Sequence, residues 1–262
     1  MAYKAILADI DGTMIEGGDF RTIPMSLELG VYKIRKQGIP FNLASGRAYF
    51  EQEMFHESLR FGIEPLSNEG ILYEASCVKL FESDVHHQLG GLTREQRESI
   101  NVFLNENGLV QEMAPQVNND RYETTVGYVT PTFIFEGKTD TTLLERTFNV
   151  VKPVLESQFN FLEVVMTADA IDINAKGVTK AKPTVKYSQL TGIALSDMVA
   201  IGDSGNDMAM FQVVGDAGGF VVYVGKREDQ EAIVRGYPHH FVPETRGPVG
   251  TAKALEHVLA NM

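Results

Sequence analysis

The chain has 262 residues, 44% hydrophobic and 22% charged, an ordinary globular composition with room for a large core and a second domain. Its 23 basic and 35 acidic residues leave a net charge of −12 with no basic run, so nucleic acid is not an expected partner and any phosphate site has to be locally positive. The single Cys77 excludes an intrachain disulfide and sits in an apolar run as a packing residue. No apolar stretch reaches transmembrane length and the N-terminus has a strand pattern, so the expectation is a soluble cytoplasmic protein, monomer or homodimer, with no membrane partner.

The apolar run Ala5 to Ala8 reads as a buried parallel strand leading into Asp9 and Asp11, before Gly12 and Thr13 turn the chain. If the strand continues through them, both carboxylates point to one side. Pro24 suits the first turn of a helix running to about Gln37, with Leu27, Val31 and Ile34 on one face and Gly38 as its stop. Ile39 to Ala44 is the second strand, ending in Ser45-Gly46-Arg47, and a helix follows to about Phe61, closed by Gly62. Residues 65–73 give a third strand with a turn at Glu69-Gly70. This alternation predicts a parallel sheet with right-handed crossovers.

The rhythm changes near Asp84. Thr93-Arg94-Glu95-Gln96 is a capping box opening a helix that Gly108 ends. Leu109 to Met113 and Tyr122 to Phe135 read as strands. Residues 139–158 read as a helix that Pro153 kinks or shortens, and Phe161 to Met166 and Ala170 to Ile173 as two more strands. The earlier rhythm then resumes: a helix Lys180 to Leu190 stopped by Gly192, a strand Met198 to Gly202, the stretch Asp203 to Asp207, and a helix through Met208 and Phe211. A strand Phe220 to Val224 and helices Glu228 to Arg235 and Val249 to Leu259 finish the chain. The expected fold is α/β, a doubly wound parallel-sheet core (1–83 and 175–262) with an inserted α+β domain (84–174).

Strand ends in a parallel sheet share one edge, so Asp9 to Thr13, Ser45-Gly46-Arg47, Lys180 and Gly202 to Asp207 can converge on one crevice. Crowded carboxylates need a compensating cation or proton. Four carboxylates, a hydroxyl, an ammonium and a guanidinium suit Mg²⁺ on hard oxygen ligands, with Lys and Arg on a phosphoryl group. On residue type alone Lys180 is not distinguished from Lys176, Lys182 and Lys186. His86-His87 and His239-His240 lack ligand partners at telling spacing.

With those four signatures in order, the chain resembles the haloacid-dehalogenase-like hydrolase superfamily over nearly its whole length. It is most similar to the sugar-phosphate phosphatase branch, which has a Rossmann-like core and a type-IIB α/β cap between the second and third motifs. The resemblance implies that Asp9 is the nucleophile forming an aspartyl-phosphate, and that Asp11 protonates the leaving oxygen and then activates water. It implies that Ser45 hydrogen-bonds the phosphoryl group, and that Lys180, matched by Gly177-Val178-Thr179-Lys180, neutralises that group and Asp9. Mg²⁺ is implied on Asp9, the backbone carbonyl of Asp11 and Asp203, with Asp207 in the metal group or orienting Lys180. Substrate contacts are expected from Gly12, Thr13, Gly46, Arg47 and Asn206, and from Arg121, Tyr122 and Lys138 in the cap. The implied function is Mg²⁺-dependent hydrolysis of a phosphomonoester of a small phosphorylated metabolite, a sugar phosphate. Glu69-Gly70-Ile71 stands where many relatives have Asn-Gly-Ala, and Val221 to Lys226 departs from a second common stretch; both touch the rim of the site and bear on substrate choice. The alternatives are a phosphomutase on the same scaffold, and a low-turnover phosphate-responsive binding or regulatory protein.

Overall fold

The structure, a computed structural model, describes residues 3–16, 22–47, 49–59, 63–107, 141–166 and 171–261. It divides into two compact units, Met1–Leu89 with Thr179–Met262, and Gly90–Val178. The first division falls beyond the expected 83/84 because a short strand, β5 (His87–Gln88), still belongs to the first unit's sheet; the second falls at 178/179 rather than 174/175.

The first unit holds an eight-stranded sheet in the order β10-β9-β8-β1-β2-β3-β4-β5. Its strands are β1 (Ala5–Ala8), β2 (Phe41–Ala44), β3 (Gly70–Tyr73), β4 (Cys77–Leu80), β5, β8 (Met198–Gly202), β9 (Phe220–Tyr223) and β10 (His240–Phe241). Pairing is parallel from β10 to β3 and antiparallel at β3-β4 and β4-β5. Every residue of β1 is buried, as expected of a central strand covered on both faces. Alternate residues serve opposite cores. Ile6, Ala8, Val199 and Ile201 pack with Leu27, Val31 and Ile34 of α1 (Met25–Lys36), Phe55 of α2 (Tyr49–Ser58) and Leu255 and Val258 of α8 (Gly247–Ala260). Ala5, Leu7, Met198 and Ala200 pack with Tyr187 of α5 (Ala181–Thr191), Met210, Phe211 and Val214 of α6 (Met208–Asp216) and Val234 of α7 (Glu228–Val234). Helices α1 and α5 end where Gly38 and Gly192 take φ of +78° and +69°. The chain runs outward from β1 in one direction and from β8 in the other, so the order reverses between these two neighbours, where open α/β sheets bind ligands.

The turn before β3 is not at Glu69-Gly70. It is at Ser67-Asn68, with Asn68 at φ +66°, and Glu69 enters the core fully buried. There it accepts from Arg35 (2.9 Å), the Phe41 N–H (3.3 Å) and the Leu66 N–H (2.8 Å), and its Oε1 lies 3.3 Å from His56 Nε2. A carboxylate at 0% exposure requires such partners. Burial opposes its ionisation, but His56, the Leu66 N–H and Arg35 outweigh burial and hold the Glu69 pKa below the usual range.

The second unit contains α3 (Arg94–Glu106), α4 (Thr141–Gln158) and an antiparallel pair, β6 (Leu162–Met166) and β7 (Ile171–Ala175). The capping box closes as expected, with Thr93 N–H on Gln96 Oε1 (2.8 Å) and Gln96 N–H on Thr93 Oγ1 (3.2 Å). Its core joins Leu92, Ile100, Leu104, Val151, Leu155, Leu162, Val164 and Ile173. Helix α4 passes through Pro153 without ending, because Pro153 lies on the exposed face, where water can solvate the carbonyl it leaves unpaired. The expected strands Leu109 to Met113 and Tyr122 to Phe135, the stops Gly62 and Gly108, and the cap contacts Arg121, Tyr122 and Lys138 lie outside the described residues.

Candidate active site

Strand β1 carries Asp9 to the reversal point, where its N–H donates to the Ile201 carbonyl (2.9 Å) and keeps it in register with β8. The strand does not continue through Asp11. The Ile10 carbonyl accepts from the N–H groups of Thr13, Met14 and Ile15, folding the chain into a tight turn with Gly12 at φ +72°. The two carboxylates therefore part: Asp9 is buried against Lys180, and Asp11 is half exposed against Arg47.

Of the four candidate lysines only Lys180 is buried, at 2% exposure; Lys176 and Lys182 are exposed and Lys186 is half-buried. Its ammonium lies 2.7 Å from Asp9 Oδ1 and 2.6 Å from Asp207 Oδ1. Asp207 Oδ2 accepts from the N–H groups of Asp203 (3.0 Å) and Ser204 (3.1 Å) and from the Ser204 hydroxyl (3.3 Å). Both oxygens of Asp207 are thus engaged, one tying Lys180 and the other fixing the loop after β8. Asp203 Oδ1 accepts from the Thr13 hydroxyl (3.2 Å). Asn206 is exposed and takes the Ser204 hydroxyl on its Oδ1 (2.7 Å).

Close approach is built into the backbone. A Cβ on Gly12 would lie 2.2 Å from Asp203 Oδ2, and one on Gly202 would lie 2.3 Å from Asp207 Cγ. Neither position tolerates a side chain while these aspartates keep their places.

Asp9, Asp203 and Asp207 each bring one oxygen within 4.8 Å of the others. Three carboxylates face one ammonium, and the deficit appears in their acidities. Burial pushes Asp9 up to about 8 against the pull of Lys180, with Asp207 and Asp203 adding to the rise. Burial, then Asp207, pushes Asp203 up to about 7. Burial opposes the Lys180 ammonium, yet Asp207 and Asp9 outweigh it and hold its pKa above the usual lysine value. Among the described residues, Asp9 and Asp203 each spend one oxygen on a protein donor and keep the other, so a hard divalent cation fits this donor set.

Ser45 follows β2. It is buried, donates its N–H to the Leu72 carbonyl (3.0 Å) and accepts the Arg47 N–H on Oγ (3.3 Å). Among the described residues that hydroxyl donates to nothing, so its proton is left for a ligand. Arg47 grips Asp11 with both ends of its fork, Nε to Oδ2 (2.7 Å) and Nη2 to Oδ1 (2.8 Å), and its Nη1 lies 3.5 Å from Glu51. The sequence reading missed Gln52, whose Nε2 donates to the carbonyls of Ser45 (3.2 Å) and Arg47 (2.8 Å) and pins the Ser-Gly-Arg loop, Gly46 included. Its signal was a polar residue three before Phe55 on the buried face of a helix.

Among the described residues no helix is long and apolar enough to cross a membrane. The family of haloacid dehalogenase-like hydrolases matches residues 6–219. The chain is 28% identical to a phosphoglycolate phosphatase of Methanosarcina acetivorans, across 100% of this chain and 99% of that one. It is 25% identical to the phosphoglycolate phosphatase of Methanosarcina mazei, across 100% and 99%. A solved structure of a Thermoplasma acidophilum protein has the same fold at TM-score 0.71 and 16% identity, covering 99% of both chains. The matched span takes in Asp9, Asp11, Ser45, Lys180, Asp203 and Asp207, and the chain belongs to the haloacid dehalogenase-like hydrolases, as a phosphoric monoester hydrolase.

Proposed function

We propose that the site is that of a Mg²⁺-dependent phosphatase that releases phosphate from a small phosphorylated metabolite through an aspartyl-phosphate on Asp9. The observation that supports this best is the buried Lys180 ammonium, held 2.7 Å from Asp9 and 2.6 Å from Asp207 with Asp203 alongside. Lys180 offsets charge on both the nucleophile and an incoming phosphoryl group, which lets one anion approach another.

In this reading an Asp9 carboxylate oxygen attacks phosphorus, the bond to the leaving oxygen breaks, and Asp11 gives that oxygen its proton. Asp11 then takes a proton from water as the water attacks phosphorus, the Asp9–phosphorus bond breaks, and phosphate leaves. Ser45 donates its hydroxyl to the phosphoryl oxygens, and the amide of Asn206 lies on the same loop as Asp203. Mg²⁺ would be held by Asp9 and Asp203, with the Asp11 carbonyl implied by the family resemblance, and when bound would supply positive charge to the phosphoryl oxygens. Asp207, with both oxygens engaged, serves to position Lys180 and the loop.

Two substrate readings follow: a sugar phosphate, from the sequence resemblance, and a phosphorylated acid, from the named activity of the Methanosarcina relatives. Phosphate release across a panel of both, with Mg²⁺ and beside the Asp9→Asn variant, tests the reaction. Release that needs both Asp9 and Mg²⁺ is the expected result. Transfer to a bisphosphate without net release would mark a mutase, and binding without turnover would mark a regulatory protein.

A further inference from the structure

The leaving group of a phosphomonoester has to reach Asp11, and in this structure both oxygens of Asp11 are taken by Arg47 at 2.7 and 2.8 Å. The backbone of Arg47 is fixed. Its N–H is on Ser45 Oγ, and its carbonyl accepts from Gln52 Nε2 (2.8 Å) and the Glu74 N–H (3.1 Å). Only the side chain can move, so the guanidinium stays next to Asp11 and meets whatever comes to it.

We propose that Arg47 exchanges Asp11 for an anionic group on the leaving-group side of the substrate, which makes the preferred substrates phosphorylated carboxylic acids rather than neutral sugar phosphates. The inference rests on the phosphatase reading above and decides between its two substrate classes. A guanidinium fork seated on one carboxylate has the geometry to seat another. Two acids already compete for it, Asp11 and, at 3.5 Å, Glu51. A sugar hydroxyl is a neutral acceptor, and neutral hydrogen bonds are roughly half as strong as charge-assisted ones. It does not draw the fork from two carboxylates, whereas a substrate carboxylate replaces like with like. The exchange is cheap because the Asp11 side chain is 45% exposed, and water already screens the existing pair. Once released, Asp11 has an oxygen for the leaving group, so the substrate that satisfies Arg47 also frees the residue the reaction needs.

The test uses matched pairs that differ only in the acid: 2-phosphoglycolate against ethyl phosphate, and 6-phosphogluconate against sorbitol 6-phosphate, each with Mg²⁺. Wild-type protein is expected to favour at least one acid over its neutral match by about tenfold or more in kcat/KM. In Arg47→Gln the ratio falls to near one whatever the absolute rates, and in Arg47→Lys it lies between. Glycolate, the free acid, competes in the wild type and loses that effect in Arg47→Gln, and circular dichroism checks that both variants are folded. Equal use of both members by the wild type, or a ratio that survives in a folded Arg47→Gln, overturns the proposal and leaves the phosphatase reading standing. Release from no phosphomonoester, p-nitrophenyl phosphate included, overturns both.

Discussion

The two ends of the parallel strands in the eight-stranded sheet each carry a cluster of charges, and the clusters are balanced differently. At the amino ends of β2 and β3, Glu69 meets Arg35 and His56, all three of them 3% exposed or less, and takes the backbone N–H groups of Phe41 and Leu66 as well. At the carboxyl ends of β1 and β8, Asp9, Asp203 and Asp207 share a single ammonium. The first cluster holds its carboxylate ionised, with the Glu69 pKa lowered; the second pushes Asp9 and Asp203 up to about 8 and about 7. A charge cluster that satisfies itself joins elements together. One that does not reserves a place for something positive from outside, and that separates a brace from a site more sharply than burial does.

The largest expected break is Asp9→Asn. It removes the proposed nucleophile while keeping shape and an acceptor for Lys180, so phosphate release should fall by at least about a thousandfold with the melting temperature held or raised. A variant that keeps near wild-type turnover would remove Asp9 from the chemistry. Gly12→Ala comes next. The added Cβ meets Asp203 at 2.2 Å and strains a backbone at φ +72°, so activity should drop about a hundredfold while the protein still folds. Unchanged kcat/KM would mean that the approach of Asp203 is not needed.

At the other end, Glu69→Gln should leave kcat close to wild type at low temperature and cost about 3–5 kcal/mol of stability, because the buried Arg35 loses its counter-charge. Urea unfolding measures it, and a loss under about 1 kcal/mol would show that the brace is not ionic. The smallest effect is a difference in Mg²⁺ stabilisation with pH. Raised pKa values mean that the metal-free folded protein keeps protons the unfolded chain releases above about pH 4, so its stability falls as pH climbs from about 4 to about 8. Mg²⁺ takes the deprotonated carboxylates, so it should raise the melting temperature more at about pH 8 than at about pH 5, by a few degrees. Equal shifts at the two pH values would place the metal elsewhere.

The fully apolar strands such as β1, the glycine-stopped helices and the capping box at Thr93 were legible because each is written in neighbouring residues. The outer strands β4, β5 and β10 were not, since such short segments, without an unbroken apolar run, become strand only when a neighbour offers the ladder. Lys180 was identified by its resemblance rather than its surroundings, because burial between Asp9 and Asp207 depends on partners far off in the chain. Glu69 shows the same limit from the other side. A glutamate before a glycine reads locally as a turn, and the Arg35 and His56 that draw it inward come from two different helices. The Arg47 to Asp11 fork, like the separation of Asp9 from Asp11, required knowing that the strand stops at Ala8.

The pairing of β1 with β8 has a consequence for synthesis. Ala8 finds its partner Ile201 only after most of the chain has been translated. On the ribosome, the strand that leads into Asp9 waits with one open edge, a template for wrong partners, and with that carboxylate lacking Lys180. The same arrangement keeps the carboxylate cluster incomplete until late, since no nascent fragment that ends before β8 contains Asp203 or Asp207.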